Sequence, residues 1–211
     1  MKITVPWLQR AEIEKTSEEV LARFNKQRMI PVPVDTIIER DYGIDIVPVA
    51  GLKEELENDA FISRDFTTIH VDQHVYFNVE VRYRFSLAHE LGHLVLHRRI
   101  FQDLAFSTIE EWTEVYQAID SDDYGKLEFQ ANAFAGYLLM PSFALVQDFA
   151  SALSGMKDRI SLVKEKGVPR EAYLESVIGN MARRLAPSFN VSTACAENRI
   201  KNEERCLNLI P

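Results

Sequence analysis

Ser86-Leu-Ala-His89-Glu90-Leu-Gly-His93-Leu-Val-Leu-His97 decides how this chain is read, because it sets two histidines four residues apart with a glutamate directly after the first. On a helix, residues i and i+4 share a face, so the imidazoles of His89 and His93 can converge on one metal ion. Glu90 falls one position round the helix. There it can reach a water activated by the metal without ligating it, the place of a general base in metal-assisted hydrolysis. Leu87, Leu91, Leu94 and Val95 recur at helical spacing and predict an apolar stripe on the face away from the histidines, in a helix that begins near Ser86. Arg98 and Arg99 follow where cations favour the helix dipole. Gly92 breaks the pattern, since glycine within a helix costs about 1 kcal/mol relative to alanine. Close approach of another segment or of a substrate would justify it. The plain alternative is that His89 and His93 are polar residues on a solvated helix face.

Two histidines leave a tetrahedral zinc one protein ligand short, with a further position kept open for water. All five histidines of the protein lie between His70 and His97. His97 is eight helical residues from His89, about 12 Å along the backbone, too far for both to share one ion with His93. It is expected to pack at the helix end or to hydrogen-bond nearby, and His70 and His74 read as loop or strand residues. A better candidate is Glu128, which opens Glu128-Phe-Gln-Ala-Asn-Ala-Phe-Ala-Gly-Tyr-Leu-Leu-Met-Pro141. Leu127, Ala131, Phe134 and Leu138 would lie on one side of a buried helix from Leu127 to Met140, stopped by Pro141, with Glu128 and Asn132 sharing another side. Taken alone, Glu128 is equally an ordinary first-turn acid favoured by the helix dipole.

Outward from these blocks, the chain reads as a mixed helical and β protein. Residues 10 to 28 predict an amphipathic helix, with Ile13, Val20, Leu21 and Phe24 as its narrow apolar stripe. Met29-Ile-Pro-Val-Pro-Val34 interrupts it twice. Asp35 then reads as the N-cap of a short helix to Asp41, and Gly43 sits where a left-handed residue would close it. Ile44, Ile46 and Val49 are strand-like, with Pro48 pointing to an edge. Ala60 to Ser63 and Thr67 to Val71, separated by Arg64 and Asp65, predict a hairpin of a small antiparallel sheet. Helices are expected at Ile109 to Ile119, Phe143 to Leu153, Ser161 to Lys166 and Arg170 to Leu185.

Composition limits the function classes. With 211 residues, 46% hydrophobic and 27% charged, the chain can bury a core and is neither disordered nor of low complexity. A formal charge of −8 disfavours a protein whose main task is gripping phosphate backbones. Cys195 and Cys206 fit neither a disulfide scaffold nor a CxxC motif, and the N-terminus lacks the apolar run of a signal peptide, so a cytoplasmic location is expected. Phe129 to Gln147 carries no charge, yet Gln130, Asn132, Pro141, Ser142 and Gln147 argue against a membrane span.

Taken together, Ile30-Pro-Val-Pro-Val-Asp35, Arg84-Phe-Ser-Leu-Ala-His-Glu-Leu-Gly-His93, Glu128-Phe-Gln-Ala-Asn-Ala-Phe-Ala and Leu138-Leu-Met-Pro141 resemble the ImmA/IrrE family of metallopeptidases, over roughly residues 30 to 145. The resemblance implies an α+β fold with a zincin-like metallopeptidase core, a small antiparallel sheet packed on helices, and a helical C-terminal region. The organisation expected is an N-terminal helical arm over 1–28, the metallopeptidase domain over 29–154 and helices over 155–211. Carried across, the metal ligands are His89, His93 and Glu128, with Glu90 as the catalytic acid/base. Zinc is the metal expected, although N and O ligands of this kind also accept manganese.

Family members are associated with helix-turn-helix repressors of mobile elements or stress regulons, which they cleave or relieve. About thirty residues precede the matching region, too few for the N-terminal helix-turn-helix domain the family often carries. The expectation is therefore a stand-alone zinc endopeptidase acting on a separately encoded repressor. Two alternatives accompany it: a metal-containing anti-repressor that does not cut, and a DNA-binding regulator. For the latter, the turn at Phe189-Asn190 and the basic residues Arg183, Arg184, Arg199, Lys201 and Arg205 give the tail a helix-turn-helix-like, mildly positive character. Thr67 to Val71 would offer a free strand edge to an extended substrate. Tyr83 and Tyr137 are the tyrosines considered for stabilising an oxyanion.

Overall fold

The structure, a computed structural model, describes residues 4–56, 58–102 and 119–211. They fall into two compact units, one of Met1–Met29 with Pro33–Leu138 and the other of Ile30–Val32 with Leu139–Pro211.

In the first unit, the amphipathic N-terminal pattern forms α1 (Arg10–Phe24), which buries Ile13, Val20 and Leu21. It ends four residues before Arg28, with Asn25 taking the last cap bond and Arg28 turning to positive φ. Asp35 is not the N-cap of the next helix, as its side chain had suggested. α2 (Val34–Thr36) opens after Pro33, and the Asp35 carboxylate accepts from the Thr36 N–H inside the first turn. The helix widens into a π-helical turn, Ile37–Tyr42, and closes on Gly43 at φ +68°, the left-handed residue expected there.

Strands β1 (Asp45–Val49), β2 (Ala60–Ile62) and β3 (Thr68–Asp72) form one sheet in the order β1-β3-β2. The expected hairpin is present, Ala60 pairing with Val71 and Ile62 with Ile69, antiparallel. Its turn is tied by Asp65, which accepts from Ser63 Oγ, Thr67 Oγ1 and the Thr67 N–H. The sheet as a whole is mixed rather than antiparallel, because β1 runs parallel to β3 from Asp45 opposite Thr68 to Val49 opposite Asp72. A parallel partner needs a crossover, here made by α3 (Leu52–Leu56) and β2. Pro48, lacking an N–H, accordingly sits on an edge strand.

Asp72 ends β3 and caps α4 (Gln73–Asn78) by accepting from the N–H groups of His74 and Val75, while its second oxygen takes the Lys53 N–H. α5 (Glu80–Gln102) starts six residues before Ser86, its first turn opening on the Val79 carbonyl that accepts from Arg82 and Tyr83. Leu87, Leu91 and Leu94 are buried as expected, but His93 and His97 are buried too, at 2% exposure each. The histidine side of α5 is therefore no solvated face. Apart from Ile119, the helix expected at Ile109 to Ile119 lies outside the described residues. α6 (Ser121–Leu139) begins six residues ahead of Leu127 and buries Leu127, Ala131, Phe134, Ala135 and Leu138 completely.

The second unit holds α7 (Ser142–Ser154), α8 (Lys157–Glu165), α9 (Arg170–Phe189), α10 (Thr193–Lys201) and α11 (Glu204–Leu207). α9 packs mainly on α10 and also on α7, burying Val177, Met181, Leu185 and Phe189. It runs through Pro187 in its last turn, where the ring removes one i→i−4 donor, and closes on Asn190 in the left-handed region. Ser192 then caps α10 by accepting from the Cys195 N–H. Arg199 is buried here, donating to Ser142 Oγ, the Met140 carbonyl and Glu203.

No single helix among the described residues is long and apolar enough to cross a membrane. Phe129 to Gln147 is split at Met140-Pro141 between α6 and α7.

Candidate metal centre

The first unit brings α5 and α6 into backbone contact at Gly92. A Cβ there would lie 3.2 Å from Ala131 Cα, 3.3 Å from the Ala131 carbonyl oxygen and 3.2 Å from Phe134 Cδ1. The residue that looked costly in a helix is the one that permits the crossing. One residue on from it along α5, and one turn back along α6, three side chains meet. His89 Nε2 and His93 Nε2 are 2.9 Å apart, and the Glu128 carboxylate places one oxygen 3.4 Å from His89 Nε2 and the other 3.5 Å from His93 Nε2. Ligands at zinc's bond lengths of about 2.0–2.2 Å in tetrahedral array stand about 3.3–3.6 Å from one another; the two nitrogen-to-carboxylate separations match this, and the two nitrogens stand closer, at 2.9 Å. At this distance the two Nε2 atoms can share a proton in a hydrogen bond or, with both ring protons on Nδ1, turn two lone pairs towards one cation. The N,N,O donor set suits zinc or manganese.

Each imidazole is oriented from behind. His89 Nδ1 lies 3.1 Å from Asn132 Oδ1, one turn beyond Glu128 on α6. Ligation by Nε2 requires the proton on Nδ1, which an amide oxygen accepts. His97 is no part of the cluster of His89, His93 and Glu128. It hydrogen-bonds to His93 through Nδ1 and to Gln130 through Nε2, as an imidazole near the helix end was expected to do. His70 sits on β3 stacked against Phe61, and His74 opens α4; neither is among the converging groups.

Burial drives the electrostatics. It pushes the His93 imidazole down to about 3, and His89 down to about 4 with help from the neighbouring His93. Both rings are neutral at pH 7, the form that binds metal. Glu90 moves the other way: burial first, then the Glu128 charge, push its carboxyl well above the usual range, against the Ile62 N–H that donates to its Oε2 at 2.9 Å. That bond ties Glu90 to the outer side of β2. Glu90 thus joins His89 and His93 in a group whose ligating atoms lie within 4.8 Å of one another.

A cleft of about 160 Å3 opens onto these side chains, walled by Asn58, Asp59 and Ala60 at the start of β2 and by Phe85 and Ser86 on the turn before His89. The strand beside it is β2, not Thr67 to Val71. β3 is central, paired with β1 on one side and β2 on the other, so it has no free edge to offer. Tyr83 and Tyr137 are not among the described residues lining the cleft: Tyr83 packs edge-on against Tyr76 with ring centroids 5.2 Å apart, and Tyr137 is buried. Tyr124 is likewise not among the described residues lining the cleft, but it feels the charges of the site. It lies one turn ahead of Glu128 on α6, and after burial it is Glu128 and Glu90 that raise its pKa. Sequence reasoning named Tyr83 and Tyr137 and not Tyr124, since nothing in the spacing along the chain ties that phenol to the histidines. It treated Gln130 only as a polar interruption.

A mixed sheet edge beside a helix that carries two metal-directed histidines, completed by a carboxylate from a second helix, defines a metallopeptidase-type site. The IrrE N-terminal-like domain, Peptidase_M78, matches residues 41–201, and the chain belongs to this family of IrrE/ImmA-type metallopeptidases. The match starts later than the resemblance read from the motifs and runs on through α10. No curated protein matches the chain.

Proposed function

We propose that this protein is a zinc-dependent endopeptidase that cleaves a separately encoded helix-turn-helix repressor and so relieves repression of a mobile element or stress regulon. The observation that carries the enzymatic reading is the convergence of His89 Nε2, His93 Nε2 and the Glu128 carboxylate within 3.5 Å, with Glu90 held beside them by the Ile62 N–H. His89, His93 and Glu128 would hold the metal. When bound, zinc supplies Lewis acidity, polarising a carbonyl and acidifying water.

The remaining steps belong to the chain. With Oε2 engaged by Ile62, Glu90 Oε1 is the oxygen left to take a proton from the attacking water and pass it to the leaving amine nitrogen. Burial and the Glu128 charge raise its carboxyl pKa above the usual carboxylate range, the direction that makes a carboxylate a stronger base. Tyr124, whose pKa is raised by burial and then by the charges of Glu128 and Glu90, is the group we assign to donate to the oxyanion that develops on the scissile carbonyl. Among the described residues β2 is an edge strand, and with the Ile62 N–H taken by Glu90 an extended segment can add alongside it at Ala60, on the cleft wall. This favours a flexible stretch between repressor domains as substrate.

The DNA-binding alternative draws less support. Of the five basic residues of the tail, Arg199 is buried with Glu203, Lys201 pairs with Glu175 and Glu197, and Arg205 pairs with Glu203. Both cysteines are free thiols, in keeping with a reducing cytoplasm. The deciding experiment incubates zinc-loaded wild type and Glu90→Gln with the helix-turn-helix repressor encoded beside this protein and reads intact masses. A discrete fragment pair from wild type alone is expected. Relief of repression by Glu90→Gln as complete as by wild type would instead make the protein a non-catalytic anti-repressor.

A further inference from the structure

Gln130 is fully buried, on the same helix as Glu128 and Asn132. Its Nε2 donates to the Pro6 carbonyl at 2.8 Å, and its Oε1 lies 2.9 Å from His97 Nε2. A carbonyl oxygen only accepts, so the amide nitrogen must face Pro6 and the amide oxygen must face His97. That orientation puts the proton of a neutral His97 on Nε2 and leaves Nδ1 as an acceptor. His97 Nδ1 stands 3.1 Å from His93 Nδ1, which must then carry a proton and donate it. His93 is left with its lone pair on Nε2, the atom that faces His89 and Glu128. Each donor and acceptor along this line follows from the one before it, and the line begins at a backbone carbonyl that has no alternative role.

We propose that Gln130 and His97 form a positioning relay that locks His93 into the tautomer able to ligate metal, anchored on the backbone of Pro6; the proposal rests on the metal reading of the site. Ligating histidines commonly give their second N–H to a carboxylate, a carbonyl or water. For His89 that partner is Asn132, and for His93 it is a second, uncharged imidazole whose own tautomer must be set from further away. The anchor is held on either side of Pro6. The Val5 N–H donates to Asp123 Oδ1 at 3.2 Å, and Trp7 stacks on Phe129 with centroids 5.0 Å apart and planes 16° from parallel. The Arg10 guanidinium lies 4.7 Å from the same Phe129 ring centre. Residues 5–7 thus strap α6 and complete the support of a ligand on α5.

The test uses the full chain, 15N-labelled and zinc-loaded, with histidine tautomers read by long-range 1H–15N NMR. His93 is expected to be protonated on Nδ1 and His97 on Nε2. A His97 proton on Nδ1 overturns the relay, and this reading needs no variant to fold. In parallel, zinc affinity is measured by chelator competition for His97→Phe and His97→Gln. The phenylalanine, with no acceptor for the His93 N–H, is expected to weaken binding about 10–100-fold and to shift the d–d absorption of the cobalt-loaded protein. Glutamine, whose amide oxygen can accept that N–H, is expected to restore both. Wild-type affinity in His97→Phe overturns the proposal. Failure of the metal reading is seen separately: wild type would then take up no zinc, while the His97 tautomer, which Gln130 sets without any metal, still decides the relay in the zinc-free protein.

Discussion

The Cα of Ala131 stands 3.2 Å from where a side-chain carbon on Gly92 would lie, so the helix bearing both histidines and the helix bearing Glu128 touch backbone to backbone beside the site. Gly92→Ala sets two effects against each other. It gains about 1 kcal/mol of helix propensity, and it crowds rigid backbone at a cost of about 1–3 kcal/mol. Crowding wins because two of the three nearest atoms are backbone. Urea denaturation is expected to give a net loss of about 1 kcal/mol, and chelator competition a several-fold weaker hold on zinc as Glu128 moves away from His89 and His93.

Glu90 carries a stability cost at neutral pH. Its folded carboxyl is pushed well above 4.5 by burial and by Glu128, so ionisation favours the unfolded chain once the pH exceeds the unfolded value. Glu90→Gln keeps an acceptor for the Ile62 N–H and removes that cost. In zinc-free protein at pH 7 the variant is expected to melt higher than wild type, with the gain vanishing below about pH 4.5, where both states of the wild-type carboxyl are protonated. Its peptidase activity should fall by about 10²–10⁴-fold.

Tyr124→Phe removes one hydroxyl near Glu128 and Glu90 and leaves the converging nitrogens and carboxylate in place. Zinc stoichiometry should be unchanged and kcat should fall about 10²–10³-fold, the loss typical of one oxyanion donor. An unchanged kcat on a repressor-derived peptide would remove Tyr124 from the mechanism.

Glu203 provides the acid limb of stability. Burial would raise its carboxyl, but hydrogen bonds from Arg205, Ser142 and Arg199 outweigh this and hold it at about 2. A carboxyl depressed in the fold stabilises above its unfolded value, near 4.5, and that contribution is lost as pH falls towards 2. Glu203→Gln is expected to cost about 3 kcal/mol at pH 7, a penalty that narrows through this window. Thermal melts of wild type and variant from pH 7 to 2.5 read it directly.

Much of the site could be read along the chain because helical geometry is local. The i, i+4 spacing of His89 and His93 sets their shared face whatever surrounds it, and Glu90 follows one position on. The hairpin of β2 and β3 was equally readable from alternation and a polar turn, and Gly43 from its place after a short helix. Glu128 stood differently: its spacing from the histidines along the chain carries no geometric information, and it was the resemblance of separated blocks that set it above an ordinary first-turn acid. The mixed sheet escaped because the partner of β3 across the β1 edge lies some twenty residues away, with no local signal for a parallel pairing. Asp35 was misjudged as a cap because the helix opens at Val34, directly after Pro33, which leaves the Asp35 carboxylate to take the Thr36 N–H from inside the first turn.

Local covalent geometry therefore determined, from the sequence by itself, which residues could act together on one helix and that a buried second helix would accompany it. Tertiary structure alone decided which carboxylate reaches the histidines, that β2 rather than β3 borders the cleft, and which nitrogen of each imidazole keeps its lone pair. Those outcomes depend on contacts between segments far apart in the chain: Gly92 with Ala131, Ile62 with Glu90, Pro6 with Gln130. Such contacts are made only when packing offsets the entropy of closing long loops, and no run of neighbouring residues encodes that balance.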